Sequence, residues 1–137
     1  MRFMGIDYGT KRIGVAISDP LCTMAHPLEV VDVRGDNSHI ERIKDIAKGY
    51  NITHVIVGLP YNMDGSIGDC GNSIMEWSRQ LEESIGLPVT LWDERLTTYE
   101  AQNILIHSNM RRIKKRQVVD KIAASLILKG YLDSLNT

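Results

Sequence analysis

A chain of 137 residues is the length of one domain, long enough to bury a core and too short for two full ones, so residues 1–137 are taken as one unit. Sixteen basic and seventeen acidic residues leave a formal net charge of −1, which excludes any global pull toward nucleic acid, membrane or acidic partners; such partners have to be read from local clusters. No apolar run approaches the ~20 residues that span a bilayer, and the amino terminus enters a strand pattern instead of a signal peptide, so the expectation is a cytoplasmic protein with no membrane partner.

Residues 2 to 8 and 12 to 18 read as strands joined by a turn around Gly9 to Lys11, an antiparallel hairpin. A third extended run, "PLEVVDV" from Pro27 to Val33, follows, with proline suited to a strand start or an edge. A helix is predicted from the capping box Ser38 to Glu41, with Ile40, Ile43 and Ala47 on one face and Gly49 as its stop. "HVIVG" from His54 to Gly58 lacks alternation and reads as a strand buried on both faces. Beyond the loop "GLPYNMDGS", Ile67, Cys70, Ile74, Trp77, Leu81 and Ile85 form a helical core stripe up to Gly86, and Ser66 or Asp64 is the expected cap.

"PVTLW" from Pro88 to Trp92 reads as a further buried strand running into "DERLTT", where Thr97 and Glu100 open a helix through about His107. After the basic stretch "RRIKKR", a last helix is expected from Gln117 to Ser134 with Val119, Ile122, Ala123, Leu126 and Ile127 apolar. A three-strand meander followed by alternating helix and strand predicts an α/β fold, a five-stranded mixed sheet with two parallel strands and helices on its faces. In such sheets chemistry gathers at the carboxyl ends of the parallel strands.

Cys22 and Cys70 make neither a C-x-x-C pair nor a zinc spacing and read as reduced, half-buried packing residues. The scattered histidines give no metal site. The carboxylates are more informative. Asp7 ends the first strand, Asp93 and Glu94 end the last, and Asp120 begins the last helix. Each alone has a plain explanation: an Asx-turn, a solvated strand end, a charge favoured by the helix dipole. Converging near a buried edge, however, they repel unless protons or cations intervene, and a divalent metal is the usual solution. Oxygen-only donors favour Mg²⁺ or Mn²⁺ over zinc, and such ions assist in-line displacement at a phosphodiester. Strand alternation sends only one of Asp93 and Glu94 toward the site, and spacing leaves the choice open.

Arg111, Arg112, Lys114, Lys115 and Arg116 stand just before Asp120, where they can hold a phosphate backbone, and Lys11 and Arg12 extend the track. The alternative for the run is an ordinary solvated loop. No aromatic ladder is available for stacking single-stranded bases. The helix after "GLPYNMDGS" could also offer its amino terminus to a phosphate, or the loop could be a plain connection.

"GIDYGTKRIGVAISD", "VGLPYNMDGS", "DERLTT" and "VDKIAASLIL" resemble, in order and spacing, the motifs of the YqgF family, also called RuvX, over nearly the whole chain. The resemblance implies a ribonuclease H-like fold related to the Holliday-junction resolvase RuvC and a metal-dependent nuclease associated with maturation of the 5′ end of 16S rRNA. It puts the family's acids on Asp7, Glu94 and Asp120, as catalytic residues and ligands of Mg²⁺ or Mn²⁺. RuvC-like enzymes often carry a further aspartate three residues on, where this chain has Ala123. The expected partner is pre-16S rRNA or a ribosomal precursor, bound by a monomer or weak homodimer. Two alternatives stay open: a Holliday junction resolvase acting on branched DNA, and a module that binds RNA without cutting it. The D-x-G-T opening also resembles the phosphate loop of actin-like ATPases and sugar kinases, which close two such domains around a nucleotide.

Overall fold

A computed structural model describes residues 1–61, 64–93 and 112–135. In chain order the elements are β1 (Phe3–Tyr8), β2 (Arg12–Ser18), β3 (Ala25–Asp32), α1 (Ser38–Gly49), β4 (His54–Leu59), α2 (Asp69–Ile85), β5 (Val89–Asp93) and α3 (Arg112–Leu135). The strands form one sheet in the order β3-β2-β1-β4-β5. The meander is antiparallel, whereas β4 runs parallel to β1 and β5 parallel to β4, as the alternation of elements predicts. Pro27 lies inside β3, an outer strand of this sheet, beside a register shift opposite Val15 and Ala16, the setting in which a residue without an N–H is tolerated.

Period-two alternation divides the sheet into two buried faces. Met4, Ile6, Ile13, Val15, Val55 and Val57 point one way and pack with Ile40, Ile43, Ile74, Trp77 and Leu81 from α1 and α2. Phe3, Ala16 and Ile56 point the other way, against Ala124, Ile127, Leu128 and Leu132 of α3. The Trp77 indole N–H donates to His39 Nε2 at 3.0 Å, so that buried histidine is a strut between α1 and α2.

Several local expectations change. The Ser38 box does not form: Asn37 is the N-cap, and Asp36 Oδ1 accepts from the Ser38 backbone N–H at 2.9 Å and its hydroxyl at 2.5 Å, so the neighbouring aspartate outcompetes the box. Asp64 likewise takes the Ser66 backbone N–H and hydroxyl at 2.9 and 2.6 Å, and Gly68, not Ser66 or Asp64, precedes α2. The buried stripe of α2 runs through Gly71, Ile74, Trp77, Ser78 and Leu81, which leaves Cys70 exposed instead of half-buried. Gly86 does end α2, in the left-handed region with φ 71°. β5 is half-exposed, not buried, because it lies at the outside of the sheet. α3 starts at Arg112, five residues before the expected Gln117, and takes most of the basic run into the helix. The helix expected from Thr97 to His107 lies outside the described residues. Among the described residues no helix is long and apolar enough to cross a membrane.

Candidate active site

The site is built where α3 crosses the end of the β1–β2 hairpin. Asp7 is half-buried, the next-to-last residue of β1, and its Cα partner across the hairpin is Gly14. Paired residues of an antiparallel ladder share a face, so Asp7 faces the same way as the vacant Cβ position of Gly14. That position is filled by backbone: a Cβ on Gly14 would run into the carbonyl of Asp120. Two strand residues back, a Cβ on Gly5 would stand 2.7 Å from the Ala124 carbonyl oxygen. One helical turn from Asp120 to Ala124, about 6 Å, thus matches one two-residue step of the strand, about 6.8 Å. Two glycines let α3 lie directly on the sheet, and this docking brings the Asp120 backbone over the partner of Asp7. Glycine inside a strand is the sequence signal for such close approach, and Gly5 and Gly14 are site-shaping residues that the sequence reading passed over.

Asp120 sits in the third turn of α3, too far from the amino end for the dipole to explain its charge. Its same-face neighbours Ala123, Ala124 and Ile127 are fully buried against the sheet, as their spacing predicts. Its partner is Arg12, whose Nε donates to Asp120 Oδ2 at 2.7 Å, with the two side chains 34% and 21% exposed. Arg12 lies two residues from Gly14, on the same face, and Lys11 stands exposed beside it in the hairpin turn.

Trp92 packs under α3 with Tyr131 at 5.6 Å between ring centroids, so the alternation of β5 turns Asp93 to the opposite face, away from Asp7 and Asp120. Glu94 and Arg111 lie outside the described residues. Arg112, Lys114, Lys115 and Arg116 fall in the first two turns of α3, on the approach to Asp120, and not in a loop. The amino terminus of α2 already carries Asp69 in its first turn, a charge that disfavours a phosphate there.

Asp7 and Asp120 offer carboxylate oxygens only, a donor set suited to hard divalent cations. Among the described residues no group of three or more His, Cys, Asp or Glu is close enough together to hold a metal ion.

A family model described as "RuvX: Holliday junction resolvase" matches residues 1–134. The chain belongs to the RuvX family. One RuvX relative, from Thermoanaerobacter pseudethanolicus and named "Putative pre-16S rRNA nuclease", is 47% identical over 135 residues, 98% of this chain and 97% of its own. Another of the same name, from Lachnospira eligens, is 46% identical over 138 residues, 98% of each chain. Among solved structures, T. thermophilus RuvC in complex with Holliday junction substrate matches with a TM-score of 0.59 at 15% identity, over 100% of this chain and 97% of that one. That likeness makes the fold of this RuvX chain the ribonuclease H-like fold of RuvC.

Proposed function

We propose that this RuvX chain is a single-domain, cytoplasmic, metal-dependent nuclease that hydrolyses phosphodiester bonds, with the 5′ end of pre-16S rRNA as its substrate. The observation that carries the chemistry is the docking of α3 on Gly14, which brings Asp120 over the strand partner of Asp7. The relatives that match nearly end to end carry the name of a pre-16S rRNA nuclease, and this supports the substrate.

In this reading Asp7, Glu94 and Asp120 hold Mg²⁺ or Mn²⁺. The alternation that turns Asp93 away favours Glu94 as the third donor. A bound divalent cation supplies Lewis-acid stabilisation of charge on the phosphate and an activated water. The chain's own residues do the rest. Lys11 and Arg12 at the hairpin, with Arg111 and with Arg112, Lys114, Lys115 and Arg116 of the first turns of α3, grip the phosphates on either side of the scissile bond. Ala123, at the position of the fourth RuvC-type aspartate, is buried and offers no oxygen, so a second cation is held less tightly than the first.

The family description names a Holliday junction resolvase, which favours branched DNA as the second reading. A resolvase cuts two strands symmetrically and works as a dimer, whereas the rRNA reading needs only a monomer or weak homodimer. Purified protein is therefore incubated with Mg²⁺ or Mn²⁺ and either a pre-16S 5′ RNA segment or a four-way DNA junction. Cleavage of the RNA and not the junction supports the proposal. Paired symmetric cuts in the junction move the protein to the resolvases, and tight RNA binding without any cut leaves a binding module.

A further inference from the structure

The ion pair between Arg12 and Asp120 sets a proposed metal ligand against a proposed phosphate-binding group. Among the described residues each is the other's one hydrogen-bonding or ion-pair partner, at 2.7 Å from Arg12 Nε to Asp120 Oδ2. A divalent cation approaching that carboxylate meets the guanidinium charge first, and like charges at such range repel strongly in a half-buried setting. The guanidinium therefore competes with the cation for the carboxylate, and its departure frees Oδ2 as a ligand.

Arg12 has somewhere to go. It opens β2 at the rim of the sheet, beside exposed Lys11, where a nucleic-acid backbone would pass. A guanidinium presents five N–H donors in a planar fork that fits phosphate oxygens bidentately. We infer that Arg12 is a switch on Asp120: without nucleic acid its guanidinium occupies the carboxylate, and a substrate phosphate draws it off so that Asp120 can take the cation. Arg12 is in this sense a positioning residue that makes metal binding depend on substrate. By linkage the coupling is reciprocal, so metal tightens nucleic-acid binding by the same factor. The inference rests on the reading that Asp120 is a metal ligand, and the test separates the two.

Mn²⁺ affinity is measured from the electron paramagnetic resonance signal of the free ion, with and without a nuclease-resistant phosphorothioate RNA. Wild type is compared with Arg12→Gln, Arg12→Ala and Asp120→Asn. Wild type is expected to bind Mn²⁺ about fivefold or more tightly with RNA than without it, in the usual range of couplings between sites. Both Arg12 variants should bind Mn²⁺ about fivefold more tightly than wild type without RNA, and gain less from its addition. Binding that Asp120→Asn abolishes but that the Arg12 variants leave equal or weaker overturns the switch and keeps the site. Binding unaffected by Asp120→Asn overturns both. Should the variants not fold, the Arg12 Nε–H resonance of wild type decides: it should shift when RNA is added without metal, and a resonance that RNA leaves in place overturns the switch.

Discussion

Gly14 shapes the site by having no side chain. A methyl group there meets backbone, not the yielding end of a side chain, so α3 has to lift at the residue that carries Asp120. Gly14→Ala should cost roughly 1–3 kcal/mol, the usual range for overpacking, and should lower cleavage beyond what the lost stability explains. Gly49→Ala is the contrast, since its Cβ position in the last turn of α1 is open space, and a gain of about 0.5 kcal/mol is expected there. Chemical denaturation of the two variants checks both signs. Asp19 shows what a satisfied carboxylate looks like in this chain. The Met24 backbone N–H, then the Thr23 hydroxyl and backbone N–H, all donate to it at 2.8 Å and hold its pKa at about 2. Since that lies below the unfolded value of about 3.9, the stability Asp19 supplies is complete above about pH 4 and is lost as pH falls toward 2. An NMR titration of the side-chain carboxyl should give a midpoint near 2 in the folded protein, and a midpoint near 4 would mean that the β2–β3 loop is not closed in this way.

Among elements, α3 carries most of the proposed site, because one helix holds Arg112, Lys114, Lys115 and Arg116 on its first turns, Asp120 in its third and the packing face beyond. Changing Lys114 and Lys115 together to Ala should weaken RNA binding and reduce the slope of log affinity against log salt by about 1.4, at roughly 0.7 per phosphate contact for single strands. Binding measured at four or five salt concentrations tests this, and an unchanged slope would return the run to ordinary surface charge. The same helix shows where sequence reading reaches its limit. Apolar periodicity locates part of its packing face: Ala123 and Ile127 of the expected stripe are buried, whereas Val119, Ile122 and Leu126 are only half-buried and Ala124, Leu128 and Leu132 complete the face. Its first turns carry no apolar stripe, so nothing in the pattern separated a charged helix from a charged loop. The caps of α1 and α2 differ from expectation for a related reason: the pattern offers Ser38, and Ser66 or Asp64, as caps, but Asp36 and Asp64 bind the hydroxyl and N–H of the serine two residues on.

At the scale of the whole molecule, the direction of the strands is legible because the β4–α2–β5 crossover forces a parallel pair and the tight Gly9 to Lys11 turn forces an antiparallel one, whereas the insertion of β4 beside β1 is not. What strand patterns do not carry is which residues meet across elements. Asp7 and Asp120 are more than a hundred residues apart, and spacing places Asp7 at the end of its strand but misplaces Asp120 at the start of a helix that begins two turns earlier; the glycine contact under α3 brings them to one face. The pairing of Arg12 with Asp120 was invisible for the same reason. The architecture that results has two cores with different tasks: one, under α1 and α2, stabilises the sheet, while the other docks α3 and so sets the site.

The central claim is that Asp7 and Asp120 act together on a divalent cation to cut RNA. Its most direct test is cleavage of a pre-16S 5′ RNA segment with Mn²⁺ by wild type, Asp7→Asn and Asp120→Asn, each first shown by circular dichroism and thermal unfolding to be folded. The account predicts metal-dependent cleavage by wild type and a loss of at least about a hundredfold in each variant, the scale on which a single removed catalytic electrostatic contact lowers rates. Cleavage at the wild-type rate by either folded variant would contradict it.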